Sequence, residues 1–152
     1  MLTVVSWGRF AEAEPALAAR VESCLRARRH HVMATLRADG SPRLSGTEVA
    51  FVDGDLRIGM MPGTRRGDDL RRDPRVALHS QGVDPPEDDP GGWAGEAKVA
   101  GRAVAVPDAA TGGESFAIGI DEVVFTSIGS PADHLVVEWW SPAGGLRRIE
   151  RY

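Results

Sequence analysis

The stretch Gly63-Thr64-Arg65-Arg66-Gly67-Asp68-Asp69-Leu70-Arg71-Arg72-Asp73-Pro74-Arg75-Val76-Ala77-Leu78 decides how the rest of the chain is read. It follows an apolar alternation, Leu56, Ile58 and Met60, that predicts a strand. A short helical turn is expected over 65–73, ending at Asp73-Pro74 because the residue before a proline is pushed out of the helical region. A second alternation, Arg75 to about Ser80, predicts another strand at once. A hydroxyl and two adjacent guanidinium groups at a helix start suit a phosphate. Arginine grips phosphate oxygens bidentately, and the free N–H groups of a helix start add to the grip. Taken alone, Thr64, Arg65 and Arg66 read as a solvated helix start with ordinary surface arginines.

Upstream, Phe10, Leu17, Val21, Cys24, Leu25 and Arg28 fall near one stripe at helical spacing, with Pro15 suited to a first turn. One helix is expected there. Val32, Ala34 and Leu36 then alternate along a strand. Asp39-Gly40 and Asp53-Gly54 are turn signals, so residues 31 to 61 read as a meander of three antiparallel strands, the middle one from about Arg43 to Val52. Within it, Ser45-Gly46-Thr47 reads either as a strand with a bulge or as a place where a flat ring approaches the backbone.

Downstream, the Pro-, Gly- and Asp-rich residues 82 to 95 read as a loop, with Trp93 as its anchor rather than as a lid over a pocket. A fifth strand is expected from Ala97 to Val106, with Gly101 as a bulge or close approach. The segment Thr111 to Ile120 is weakly patterned and is expected to form a short helix. Val123 to Ile128, Leu135 to Trp140 and Leu146 to Ile149 predict three final strands, the last two joined at Gly144-Gly145. Trp139 and Trp140 point to opposite faces, one into the core and one toward an interface or pocket rim. Asp68 and Asp69 read as solvated surface, and His79 as a surface or interface histidine. The whole, residues 1–152, reads as a single antiparallel barrel domain, mainly β with helical decoration.

Composition bounds function. A net charge of −4 gives no reason to expect nucleic acid. The single cysteine, Cys24, excludes an internal disulfide and lies on an apolar helical face, as an inert thiol does. The four histidines form no cluster of metal-ligand spacing, and no metal is expected. No run is apolar and long enough to span a membrane, and the first residues lack the basic start and long apolar stretch of an export signal. A cytoplasmic protein is expected.

In this order, His31-Val32-Met33-Ala34-Thr35-Leu36, Asp39-Gly40-Ser41-Pro42-Arg43, Asp55-Leu56-Arg57-Ile58-Gly59, Gly63-Thr64-Arg65-Arg66 and Leu70-Arg71-Arg72-Asp73-Pro74-Arg75-Val76 resemble the pyridoxamine 5′-phosphate oxidase-like family. Its members are flavin-binding split barrels. The resemblance covers about residues 14 to 106 and, loosely, the C-terminal strands. It implies a homodimer with FMN in a groove between two barrels. It places the phosphate on Thr64, Arg65 and Arg66, and the ring edge against the backbone of Arg43, Leu44, Ser45 and Gly46. It sets Gly59, Met60 and Met61 beside the ring and ribityl chain. Two departures stand out: Arg66 replaces the usual lysine, and Met60 stands where a small hydroxyl residue is frequent.

The resemblance implies an FMN-dependent oxidoreductase acting on a small molecule, with the cofactor carrying the redox chemistry. No acid–base pair stands out, and no catalytic residue is assigned. Two alternatives share the fold: a reductase using the deazaflavin coenzyme factor 420, and a flavin- or haem-binding module without turnover. Arg71, Arg72 and Arg75 would form the basic lane that the deazaflavin's anionic tail requires. Asp68, Asp69 and Asp73 are interleaved with them and roughly cancel their charge, which favours FMN.

Overall fold

Proline and turn chemistry set the element boundaries. In the computed structural model, which describes residues 4–107 and 113–152, Ser6 caps helix α1 (Trp7–Ala13) by accepting from the Arg9 amide at 3.2 Å. Glu14 then leaves the helical region, at φ −136° and ψ 69°, as the residue ahead of a proline is driven to do. Pro15 opens α2 (Pro15–Ala27) at a position where the missing N–H is no loss. The single N-terminal helix expected from the apolar stripe is therefore two. Phe10 belongs to α1, Leu17, Val21, Cys24 and Leu25 line α2, and Arg28 is already extended.

Strands β1 (His30–Leu36), β2 (Pro42–Val52) and β3 (Asp55–Met60) form the expected meander. Asp53 and Gly54 both take positive φ, 52° and 79°, the two-residue turn whose twist matches the flanking strands. Helix α3 (Arg65–Arg72) follows, then β4 (Arg75–His79), β5 (Glu96–Val106), β6 (Glu114–Ile128), β7 (Leu135–Ser141) and β8 (Gly145–Arg151). The short helix expected over Thr111–Ile120 is corrected. Residues 111 and 112 lie outside the described residues, and from Glu114 the chain is strand, continuous with the segment expected from Val123. Phe116, Ile118 and Ile120 alternate inward at no more than 2% exposure. The intervening Ala117 and Gly119 are small rather than polar, so the sequence shows only half of a strand's alternation.

The sheet runs β3-β2-β1-β4-β5-β6, and β3 pairs again with β6, with Ile58 opposite Phe116. This closes a six-stranded antiparallel barrel. β7 and β8 extend the sheet beyond β6 as a hairpin. The barrel interior holds Met33, Leu56, Ile58, Val99, Phe116 and Ile120, all nearly inaccessible. Helices α1 and α2 close one side, where the Phe10 ring lies 5.1 Å from Trp7 and 4.9 Å from Trp140. Trp140 is thus the core tryptophan of its pair, while Trp139 stays half-buried on the other face. Trp93 donates to the Val83 carbonyl at 2.7 Å and ties the 82–95 loop to itself. Cys24 is buried with its Sγ 3.7 Å from the Ala94 and Gly95 carbonyls, and burial pushes its thiol up. No helix among the described residues is long and apolar enough to cross a membrane.

Gly101 marks a register shift in the β5–β6 ladder, between Ala100 and Gly101. A Cβ there would sit 1.8 Å from the Gly119 carbonyl oxygen, a backbone atom that cannot move aside. Of the two readings of Gly101, the close approach is the one found; the extra residue of the irregularity is Asp121 on β6. Gly101→Ala is expected to cost about 1–3 kcal/mol, the range for forcing atoms into a packed interior. Urea denaturation followed by circular dichroism measures it, and an unchanged midpoint would contradict the geometry.

Candidate functional site

β3 ends at Met60, and Met61-Pro62-Gly63 turns the chain into α3, with Gly63 at φ 75°. Thr64 caps α3: its Oγ1 accepts from the Gly67 amide at 3.2 Å. The amides of Arg65 and Arg66, in the first turn, have no partner within the helix. Arg66 reaches across to β2 and donates from Nη1 to the Gly46 carbonyl at 2.9 Å. Its Nε is buried with no partner. Arg65 is exposed and has no ion pair or side-chain hydrogen bond among the described residues. So the triplet contains one hydroxyl at the helix cap, one free guanidinium, and one guanidinium with a buried donor to spare.

Facing it is an incompletely paired strand. β1 pairs with β2 from Pro42 to Glu48, whereas β3 pairs with it only from Glu48 to Val52. The edge of β2 that faces away from β1 is therefore not covered by β3 over Arg43, Leu44, Ser45 and Gly46. A flat ligand laid along that edge would meet backbone donors and acceptors. Gly46 lies on the outer face, and a Cβ there would meet nothing within 4 Å. Gly59 shares this face, opposite Glu48, with a Cβ position no nearer than 3.9 Å to the Glu114 carbonyl.

Not all of the expected residues point this way. The Met60 side chain is 7% exposed and belongs to the barrel core, so on the outer side it offers only backbone. Met61 is 77% exposed. Arg43 and Ser45 turn toward the inner side of β2, while Leu44 stands out at 74% exposure. With Val32 from β1 and Ala77 from β4, Leu44 borders a shallow apolar hollow of about 250 Å³, rimmed by His79, Lys98 and Glu122. His79 keeps its Nδ1 on the Ser80 carbonyl and its Nε2 3.5 Å from Glu96.

The residue that sequence reasoning misplaces is Asp69, expected as solvated surface. It is 2% exposed. Its carboxylate accepts from Thr35 Oγ1, Arg43 Nε and Arg72 Nη2, each at 2.7 Å. Burial pushes this carboxyl up, and the hydrogen bonds from Arg43, Thr35 and Arg72 outweigh it and hold it below the usual range. Two signals in the sequence point to it. Thr35 and Arg43 are direct partners across the β1–β2 hairpin, and Asp69 stands beside the buried Leu70, three residues before Arg72. Asp68, by contrast, is exposed as expected and pairs with Arg71 at 2.8 Å. Arg71 also holds Glu114 at 2.7 Å, and Arg75 holds Asp73 at 2.6 Å. Hydrogen bonds from Arg75 bring the Asp73 carboxyl down to about 2. No group of three His, Cys, Asp or Glu side chains among the described residues is arranged to hold a metal.

A closed antiparallel barrel with a capped, arginine-bearing helix start beside an open strand edge is the architecture of a split barrel. The model of the pyridoxamine 5′-phosphate oxidase family matches residues 17–126, and the chain belongs to that family. No protein of curated function matches it by sequence. Similar solved structures include a pyridoxamine 5′-phosphate oxidase-related, FMN-binding protein from Nostoc punctiforme, at 9% identity and TM-score 0.62 over 91% of this chain and 96% of that one. PhzG from Burkholderia lata, solved with tetrahydrophenazine-1-carboxylic acid, is similar at 11% identity and TM-score 0.61 over 93% and 87%. HutZ, a haem storage protein from Vibrio cholerae, is similar at 13% identity and TM-score 0.53 over 72% and 90%. At these identities the likeness is one of fold.

The depressed carboxyl of Asp69 fixes the sign of its pH dependence. Its contribution to stability is complete above the unfolded-state value of about 4 and is lost as pH falls through the lower folded-state value. Asp69→Asn is therefore expected to lower the urea midpoint at pH 7 and to lower it less at about pH 3. Equal losses at both pH values would show that the carboxylate's charge is not what Asp69 contributes.

Proposed function

We propose that the chain binds FMN along the open edge of β2, with the phosphate at the start of α3, and serves as an oxidoreductase for a small organic molecule. The observation that carries this reading is the state of the triplet: Arg65 without a partner and Arg66 with a buried, unpartnered Nε. A buried donor left unmade costs about 1–3 kcal/mol, and a phosphate oxygen would satisfy it. The residues present therefore fit the group. Arg65, Arg66 and the α3 amides would hold the phosphate, the Arg43–Gly46 backbone would receive the ring edge, and the missing side chains of Gly46 and Gly59 would let it lie close. Bound FMN would supply the hydride and electron transfer. The chain's part is to orient the ring and exclude water from one face.

The exposed Leu44 and Val32 support a homodimer of the same architecture. Outer-face apolar residues beside a ligand groove are better covered than left in water, and a second barrel would cover them and wall the groove. The deazaflavin alternative is less well supported. Arg71, Arg72 and Arg75 each hold a carboxylate, so no free basic lane extends beyond the triplet. A cytoplasmic location belongs to the same proposal.

Titration of FMN and of riboflavin into the apo-protein tests the assignment. Replacing Arg65 and Arg66 with Ala removes charge-assisted hydrogen bonds of about 1.5–3 kcal/mol each, or on the order of a hundredfold or more in FMN affinity. Riboflavin, which lacks the phosphate, is expected to bind wild type and variant alike. Equal FMN affinity in the two proteins removes the phosphate from this site. Light scattering on the same sample is expected to report twice the chain mass, and a monomer at micromolar concentration would remove the shared groove.

A further inference from the structure

Three arginines among the described residues are not exposed: Arg43, Arg57 and Arg66. Arg43 donates to Asp69 at 2.7 Å, and Arg66 donates to the Gly46 carbonyl. Arg57 donates no hydrogen bond to any described residue. Its Nε is buried without a partner. Its one ion pair is loose: Nη2 lies 3.5 Å from Asp55 Oδ2, beyond the usual range of an N–H···O bond. Buried donors are nearly always paired, so a half-buried guanidinium met this poorly calls for an explanation.

Its position supplies one. Arg57 stands on the outer face of β3, because its neighbours Leu56 and Ile58 point into the barrel. Ala50 of β2 and Ala117 of β6 face it across the two ladders, so no long side chain is paired with it on either side. Gly59 follows on the same face, about 7 Å along the strand, and a Cβ there would meet nothing nearer than 3.9 Å. Glu48, opposite Gly59, lies 3.3 Å from His30 and makes no ion pair with Arg57. The guanidinium thus borders the open space over Gly59, where the flavin ring is proposed to lie.

We infer that Arg57 anchors a carboxylate of the substrate, which makes the small molecule an organic acid. Nε and Nη2 together form a fork spaced for the two oxygens of a carboxylate. Asp55 leaves that fork half-made, since it approaches Nη2 and not Nε. With 24% of the side chain exposed, the guanidinium can be met from outside, and the flanking alanines leave it room to turn Nε toward a ligand. A planar acid over Gly59 would place its carboxylate on the fork and its body against the ring. The inference rests on the reading of this face as the flavin site, and it adds the class of substrate.

Benzoate is the probe, and benzamide, of the same shape without the charge, is its control. Both are titrated into the FMN-loaded protein at about 0.15 M salt, where remote charges are screened, with heat and flavin absorbance as readouts. Benzoate is expected to bind about tenfold or more tighter than benzamide, the scale of one charge-assisted hydrogen bond. Arg57→Gln is expected to remove that preference and to change benzamide affinity by less than about threefold. FMN affinity is expected to stay where it was, since Arg57 holds no part of the cofactor.

Benzoate bound no better than benzamide by wild type overturns the inference. So does a folded Arg57→Gln protein that keeps the preference, which would leave Arg57 a partner of Asp55 alone. If Arg57→Gln does not fold, the Nε–H nuclear magnetic resonance signal of Arg57 in wild type decides. A shift with benzoate and none with benzamide upholds the anchor, and equal behaviour overturns it. Titrating wild type with FMN reports separately on the parent reading: FMN can fail to bind while the same two probes, on the apo-protein, still decide the role of Arg57.

Discussion

One buried carboxylate joins the elements that build the site. Asp69 takes a hydroxyl from β1, a guanidinium from β2 and a guanidinium from its own helix. An ionised carboxylate removed from water costs several kcal/mol when left alone. Three donors at 2.7 Å offset that cost, and Thr35 and Arg43 lose their side-chain partner if Asp69 moves. The arrangement is therefore all or nothing. It fixes α3 against the hairpin at one rotation about its axis, and that rotation sends Arg66 to Gly46 and leaves Arg65 outside. A purely apolar contact through Leu70 would hold the helix in place but would specify its rotation less sharply. Directional hydrogen bonds supply what packing alone leaves loose.

Barrel closure is the second constraint, and it acts at a distance from the site. β3 has to meet β6 as well as β2, and β6 has to bend to reach both β3 and β5. The register shift at Gly101, pressed against the Gly119 carbonyl, falls on the β5–β6 ladder that bears this bend. Bulges sharpen local twist and bend the strand that carries them. α1 and α2 then cover the side where β7 leaves the barrel, through Trp7, Phe10 and Trp140. The aromatic contacts hold the extended hairpin to the closed barrel without entering the candidate site.

Much of this is legible in the chain. The meander, α3 and the loop at 82–95 follow from period-two alternation, Asp-Gly turns and proline, because those signals are local and the structure honours them. What is not legible depends on tertiary partners. Residues 114–120 read as a weak helix because their outer positions are Ala and Gly. Val4 lies over the outer face at Gly119, so no polar residue is called for there, and a sequence cannot show that Phe116 will face Ile58. Asp69 reads as surface because charged residues are rarely buried. Its burial becomes visible only when Thr35 and Arg43 are seen as cross-strand partners. The family motif sets Met60 beside the ligand, but the strand's own alternation with Leu56 and Ile58 assigns its side chain to the core.

The open edge of β2 itself has a local cause. β2 runs Pro42–Val52, while β3 stops at Met60 and pairs no further than Gly59 opposite Glu48. Had β3 continued, residues 61–63 would have paired along β2 toward Ser45 and covered the edge. Pro62 has no N–H to give to such a ladder, and Gly63 at φ 75° turns the backbone out of strand geometry altogether. The same turn delivers Thr64 as the cap of α3, so the residues that end pairing on β2 also bring the arginines beside the edge they expose. The site is thus the consequence of a strand-length mismatch imposed by two residues. The arginine motif and the open edge of β2, separated by about twenty positions in sequence, are brought together by one interruption of the sheet.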